Sequence, residues 1–162
     1  MTAPLRATVI GAGSWGTALA MTLVESGHDV RIWSFEDDVA KSINERGENP
    51  YLTGVDLPRS LRAETEIAAA VQDAELVVSV SPSQVVGTVM SQATPYLRSD
   101  AVLVSASKGI ELGTLRRMDE VLTDVVAPEI MQRFCALSGP SFAKEVAEGA
   151  PTAVVVAGRH EA

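Results

Sequence analysis

The chain has 162 residues, enough for one well-buried domain and too few for two comfortable ones. Apolar residues make up 46% with only 4% aromatic, and they are mainly Ala, Val and Leu, a composition that suits an α/β layer protein. Its 13 Lys plus Arg against 21 Asp plus Glu give a net charge of −8, which argues against sequence-independent nucleic-acid binding and leaves any ligand phosphate to find local donors.

From the N-terminus, Ala7-Thr8-Val9-Ile10 reads as a strand, Gly11-Ala12-Gly13-Ser14-Trp15-Gly16 as a glycine turn, and Thr17 to Val24 as a helix. Gly11 lets the chain leave the strand tightly, Gly13 removes the Cβ that would block a pyrophosphate, and Gly16 lets the helix pack close. Phosphates would then sit at the helix N-terminus, where the first N–H groups lack intrahelical partners and the macrodipole favours negative charge. A structural turn without a ligand is the alternative. Gly27 is placed for a left-handed helix C-cap, and Val30 to Ser34 alternates as a second strand. Beyond its tip stand Phe35, Glu36, Asp37 and Asp38. Phe35 stacking on adenine with Glu36 on the ribose, and an acidic run that is only the solvated first turn of the next helix, fit the residues equally. No arginine follows the tip to clamp a 2′-phosphate.

A helix from Asp37 to Glu45 ends at Arg46-Gly47, and Asn49 to Pro58, with two prolines and a glycine, is a loop. Further strands are expected at Leu61–Thr65, Leu76–Val80, Ala101–Ser105, Phe134–Leu137 and Thr152–Val156. Short helical turns lie over 66–71, and a helix begins with Ser81 as N-cap and Pro82 at its first position. Val85, Val86, Val89 and Met90 share one face of that helix, and another helix covers 114–125. Alternating strands and helices imply right-handed crossovers, so the fold class is α/β: a doubly wound, mostly parallel sheet of the Rossmann type, as a single domain over 1–162. Cys135, the sole cysteine, excludes an internal disulfide and reads as a small strand hydrophobe. No run approaches about 18 apolar residues and no signal-peptide pattern opens the chain, which leads us to expect a soluble, cytoplasmic protein with no membrane span.

In a doubly wound fold the ligand crevice lies beyond the strand C-termini. There the sequence places Ser81-Pro82-Ser83-Gln84, Ser105-Ala106-Ser107-Lys108-Gly109 and Ser138-Gly139-Pro140-Ser141-Phe142-Ala143, hydroxyls and glycines with Lys108 as the one cation. Lys108 reads as a phosphate or hydroxyl contact, or else as a lysine snorkelling at a sheet edge. His28 and His160 stand without a carboxylate pattern and are not expected to act as acid or base.

Four motifs, Gly11 to Ala20, Asn49 to Pro58, Ser107 to Glu111 and Leu137 to Val146, resemble in order the N-terminal half of bacterial NAD(P)-dependent glycerol-3-phosphate dehydrogenases. The resemblance implies hydride transfer between glycerol 3-phosphate and NAD or NADP, giving dihydroxyacetone phosphate for glycerophospholipid biosynthesis. It implies that Ser14, Trp15, Phe35, Lys108 and Ala143 join Gly11, Gly13 and Gly16 on the cofactor, and that Lys108, Gly139 and Ser141 meet the substrate. The family usually has a basic residue or histidine where Phe35 stands, so the cofactor stays NAD or NADP. Members are about twice this length, and the resemblance assigns the general-base lysine, and a homodimer in the full-length enzyme, to chains that carry a helical C-terminal half. Two alternatives remain: the cofactor domain of another two-domain dehydrogenase, and a stand-alone NAD(P)-sensing module.

Overall fold

The computed structural model describes residues 3–158; His160 lies outside the described residues. Seven strands form one sheet: β1 (Arg6–Ile10), β2 (Asp29–Trp33), β3 (Arg62–Glu64), β4 (Leu76–Ser79), β5 (Val102–Ser105), β6 (Phe134–Ser138) and β7 (Val155–Gly158). Their order is β3-β2-β1-β4-β5-β6-β7, parallel throughout except for β7, which runs antiparallel to β6. The helices are α1 (Ser14–Glu25), α2 (Asp37–Arg46), α3 (Ile67–Val71), α4 (Val86–Ala93), α5 (Met118–Val125), α6 (Pro128–Met131) and α7 (Ala143–Ala147).

Both faces of the central strands are buried, and alternation along each strand decides which layer a side chain joins. Ala7 and Val9 of β1 pack with Val30 and Ile32 of β2 under α1 and α2, whereas Ile10 packs with Val77 and Leu103 under α3, α4 and α5. Thr8 is buried on that second side and is tolerated because its hydroxyl donates to the Ala70 carbonyl at 2.6 Å. Helices on both faces and a strand order that reverses at β1 and β4 make the sheet doubly wound, as the alternating pattern implies. Gly27 and Gly47 close α1 and α2 with φ of +89° and +70°, the left-handed geometry that glycine adopts without a Cβ penalty.

Several strand ends shift by one residue and α1 begins at Ser14, ahead of Thr17; in the second half of the chain three starts differ more substantially from the sequence expectation. Ser81 and Pro82 do not start a helix: a turn closed by Val85 N–H on the Pro82 carbonyl intervenes, α4 begins at Val86, and the Ser81 hydroxyl donates back to the Ile10 carbonyl. The helix expected over 114–125 begins only at Met118, because Arg116 ties Glu111 and Asp124 together and Glu120 caps the Arg117 N–H at 2.9 Å. The last strand starts at Val155 and not Thr152. Its partner register begins with Ser138 opposite Val155, and the Ala153 carbonyl lies against Gly139, so the residues before Val155 run beside the segment that follows β6 without joining the ladder. The four-residue apolar face assigned to α4 also divides, since Val86 and Met90 are fully buried while Val85 is 42% exposed.

Candidate functional site

The main cleft, about 840 Å³, opens beyond the C-terminal ends of β1, β2, β4 and β5, where the strand order reverses. Gly11 starts it. With φ of +126° the residue turns sharply out of β1, its N–H donates to the Trp33 carbonyl at 3.1 Å, and a Cβ there would meet the Val80 backbone at 3.0 Å. Gly16 is required more strictly still, because its Cβ would lie 1.9 Å from the Gly11 carbonyl oxygen. The turn and the first turn of α1 therefore fit each other only as glycines.

Gly13 differs from both. It is the N-cap of α1 in extended conformation, supplies no side-chain cap, and has nothing within 4 Å of a Cβ built on it. α1 has no acidic residue in its first turn. Its leading N–H groups, which lack intrahelical acceptors, thus face open space with no carboxylate competing for them, as an anion site at a helix N-terminus requires. Two more groups ask for a partner: Trp15 Nε1 and Ser141 Oγ belong to lining residues, are buried, and make no hydrogen bond among the described residues. An orphaned buried polar group costs about 1–3 kcal/mol, so a polar ligand here would relieve a cost already present. These features fit a pyrophosphate-bearing dinucleotide.

At one end, Ser34, Phe35, Glu36 and Tyr51 line the cleft beyond β2. Phe35 is 85% exposed and meets Trp33 edge-on, ring centroids 6.4 Å apart. Glu36 is the N-cap of α2, with Asp37 and Asp38 in the first turn. Its carboxylate accepts from the Tyr51 hydroxyl at 2.6 Å, and that carboxylate raises the phenol pKa above its ordinary value. At the other end Lys108 is exposed, with Nζ 5.4 Å from the Trp15 ring centroid and donating to the Ser141 carbonyl at 3.4 Å. It bridges the start of α1 and the segment entering α7.

Of the residues expected from sequence, Gly11, Gly13, Ser14, Trp15, Gly16, Phe35, Lys108, Ser141 and Ala143 line this cleft together. Gly139 is not in the lining. Its φ of +155° and the Ala153 carbonyl 2.7 Å from its would-be Cβ give that glycine a packing role under β7. Sequence reasoning gave no site role to Tyr51, or to Thr88, Val89 and Gln92 on the cleft-facing side of α4. Asn49 is buried, donating to the Ala12 carbonyl at 2.9 Å and to Thr17 Oγ1 at 2.8 Å while accepting from the Tyr51 N–H at 2.8 Å. Asn-Pro in a loop signals only a turn, so no local pattern could reveal that contact. No helix among the described residues is long and apolar enough to cross a membrane, and no cluster of His, Cys, Asp or Glu among them could hold a metal ion.

Residues 6–162 match the family described as NAD-dependent glycerol-3-phosphate dehydrogenase N-terminus. The chain is 48% identical over 161 residues to a glycerol-3-phosphate dehydrogenase [NAD(P)+] of Anaeromyxobacter dehalogenans, covering 97% of this chain and 48% of that protein. It is 44% identical over 155 residues to the protein of the same name from Citrifermentans bemidjiense, covering 95% of this chain and 46% of the other. The crystal structure of glycerol-3-phosphate dehydrogenase from Coxiella burnetii superposes with a TM-score of 0.82 at 34% identity, over 94% of this chain and 46% of that one. The chain thus spans about half the length of the curated relatives it matches.

Proposed function

Because the chain belongs to the NAD-dependent glycerol-3-phosphate dehydrogenase N-terminus family, we propose that it forms the dinucleotide-binding half of an enzyme oxidising glycerol 3-phosphate to dihydroxyacetone phosphate. The observation that carries this reading is the uncapped, acid-free N-terminus of α1 behind Gly13, in a cleft whose lining also holds the unpaired Trp15 Nε1 and Ser141 Oγ. A bound nicotinamide would supply the hydride chemistry at its C4. The chain's own residues bind and orient. Gly11, Gly13, Ser14, Trp15 and Gly16 receive the pyrophosphate, and Phe35 borders the adenosine end. Ala143 and Lys108 border the far end, where Lys108 with Ser141 faces the phosphorylated substrate; Gly139, expected to join them, lies outside the lining. We place the activity in the cytoplasm, supported by a lone cysteine, and a homodimer in the full-length enzyme, supported by family resemblance alone.

Calorimetric titration of the purified chain with the oxidised dinucleotides NAD and NADP tests the reading, followed by glycerol 3-phosphate added to the saturated complex. Binding of a dinucleotide and then a response to glycerol 3-phosphate is expected. Dinucleotide binding without that response would favour a sensing module, and no dinucleotide binding would overturn the assignment of the cleft.

A further inference from the structure

Relatives named [NAD(P)+] leave the choice between the two dinucleotides open, and they differ only by a phosphate on the adenosine 2′ oxygen. In a doubly wound fold the adenosine ribose lies at the tip of β2. Here that tip is built from Ser34, Phe35 and Glu36. Ser34 is buried, and its hydroxyl donates to the Glu36 carbonyl at 2.9 Å while accepting the Glu36 N–H at 3.2 Å, which fixes the backbone of Glu36. The side chain is fixed separately by the Tyr51 hydroxyl at 2.6 Å. Tyr51 is in turn tethered by its N–H on Asn49 Oδ1, and Asn49 holds the Ala12 carbonyl inside the glycine turn. A continuous run of hydrogen bonds thus sets the Glu36 carboxylate relative to the turn that would receive the pyrophosphate.

Charge at this end is of one sign. Asp37 and Asp38 follow Glu36 directly. Lys108 is the one cation lining the cleft among the described residues, and it stands beyond β5, three strands from β2. At roughly 4.8 Å per strand that is about 14 Å away, too far to pair with a group at the β2 tip. We propose that Glu36, positioned by Tyr51, makes this cleft select NAD over NADP by accepting hydrogen bonds from a free ribose hydroxyl and repelling a 2′-phosphate. A carboxylate has about four acceptor sites, so one bond from Tyr51 leaves it able to take ribose hydroxyls. The hydrogen bond to Glu36 is the first cause of the raised Tyr51 phenol pKa and the Glu36 and Asp38 charges add to it; those charges also oppose a 2′-phosphate.

The inference rests on the dinucleotide reading of the cleft, and affinities of the intact chain for NADH and NADPH, measured by calorimetry, separate the two. NADH is expected to bind roughly a hundredfold more tightly, because its free ribose hydroxyl donates to the carboxylate where the 2′-phosphate of NADPH would be repelled. Glu36→Gln should cut that ratio about tenfold or more, chiefly by improving NADPH, and Tyr51→Phe should cut it less, chiefly by weakening NADH. Both side chains are exposed, so neither replacement threatens the fold. Equal affinities in the unaltered chain, or a ratio unchanged in Glu36→Gln because both ligands weaken together, would overturn the selection while leaving the cleft assignment standing. Failure of either dinucleotide to bind would overturn both.

Discussion

At the scale of single residues, the three glycines of the first turn do three different jobs. Gly11 and Gly16 are demanded by the protein's own backbone, whereas the space at Gly13 is left for something else. Gly13→Val should therefore weaken NADH binding by at least roughly 100-fold, about 2.7 kcal/mol, while the unfolding transition stays cooperative and close to that of the parent. Titration calorimetry paired with urea denaturation reads both, and unchanged affinity would make the turn purely structural. Lys108 is poised differently, held over Trp15 and on the Ser141 carbonyl. In the full-length enzyme, Lys108→Ala is expected to weaken glycerol 3-phosphate utilisation about ten- to 150-fold, with dinucleotide affinity changed less, as loss of one charge-assisted contact implies. A larger drop in dinucleotide affinity than in substrate affinity would make Lys108 a cofactor ligand first.

At the scale of elements, the segment after α2 is anchored into the glycine turn by one side chain. Asn49→Ala removes three hydrogen bonds and strands the buried Ala12 carbonyl, while the Thr17 hydroxyl keeps its bond to the Gly13 carbonyl. A cost of about 1–3 kcal/mol is expected, together with weaker dinucleotide binding, and a variant equal to the parent in both would show the segment to be incidental. The connection from β5 to α5 is held instead by charge. Thr114 and Arg116 hold the Glu111 carboxyl below its usual range, and Arg117 does the same for Asp119. With folded values depressed below the unfolded ones of about 4.3 and 3.9, this stabilisation is complete above those values and is lost as pH falls through the folded ones. Glu111 and Asp119 keep 24% and 26% of their side-chain surface in water and pair with arginines at the surface, so the effect is small. The Tm difference between the parent and Arg116→Met should stay constant from about pH 5 to 8 and shrink below about pH 4. A difference that grows in acid would contradict the assignment.

At the scale of the whole molecule, the sheet is the frame to which every site residue is tied, and β5 is one of its interior strands, with Leu103 fully buried. Leu103→Ala should cost about 2–5 kcal/mol in urea unfolding, within the margin of a domain typically stable by about 5–15 kcal/mol, so the variant should remain folded with the cleft intact. Much of this architecture was legible beforehand. The apolar runs at Ala7–Ile10 and Leu76–Val80, the alternation at Val30–Ser34 and the Gly11–Gly16 turn are encoded within a few residues, by steric freedom at glycine and by burial on both strand faces. They determined a parallel, doubly wound sheet with an anion-ready helix start. Tertiary structure decided the rest. The pairing that holds the Glu36 carboxylate could not be read locally, since its partner Tyr51 lies 15 residues on. Asn49 reaches Ala12 across 37 residues and carries no local mark of doing so. The direction and start of β7 follow from its pairing with β6 and the crowding at Gly139. Propensity and periodicity act over one or two turns of chain, whereas these contacts exist only once the sheet has brought distant segments to the same edge.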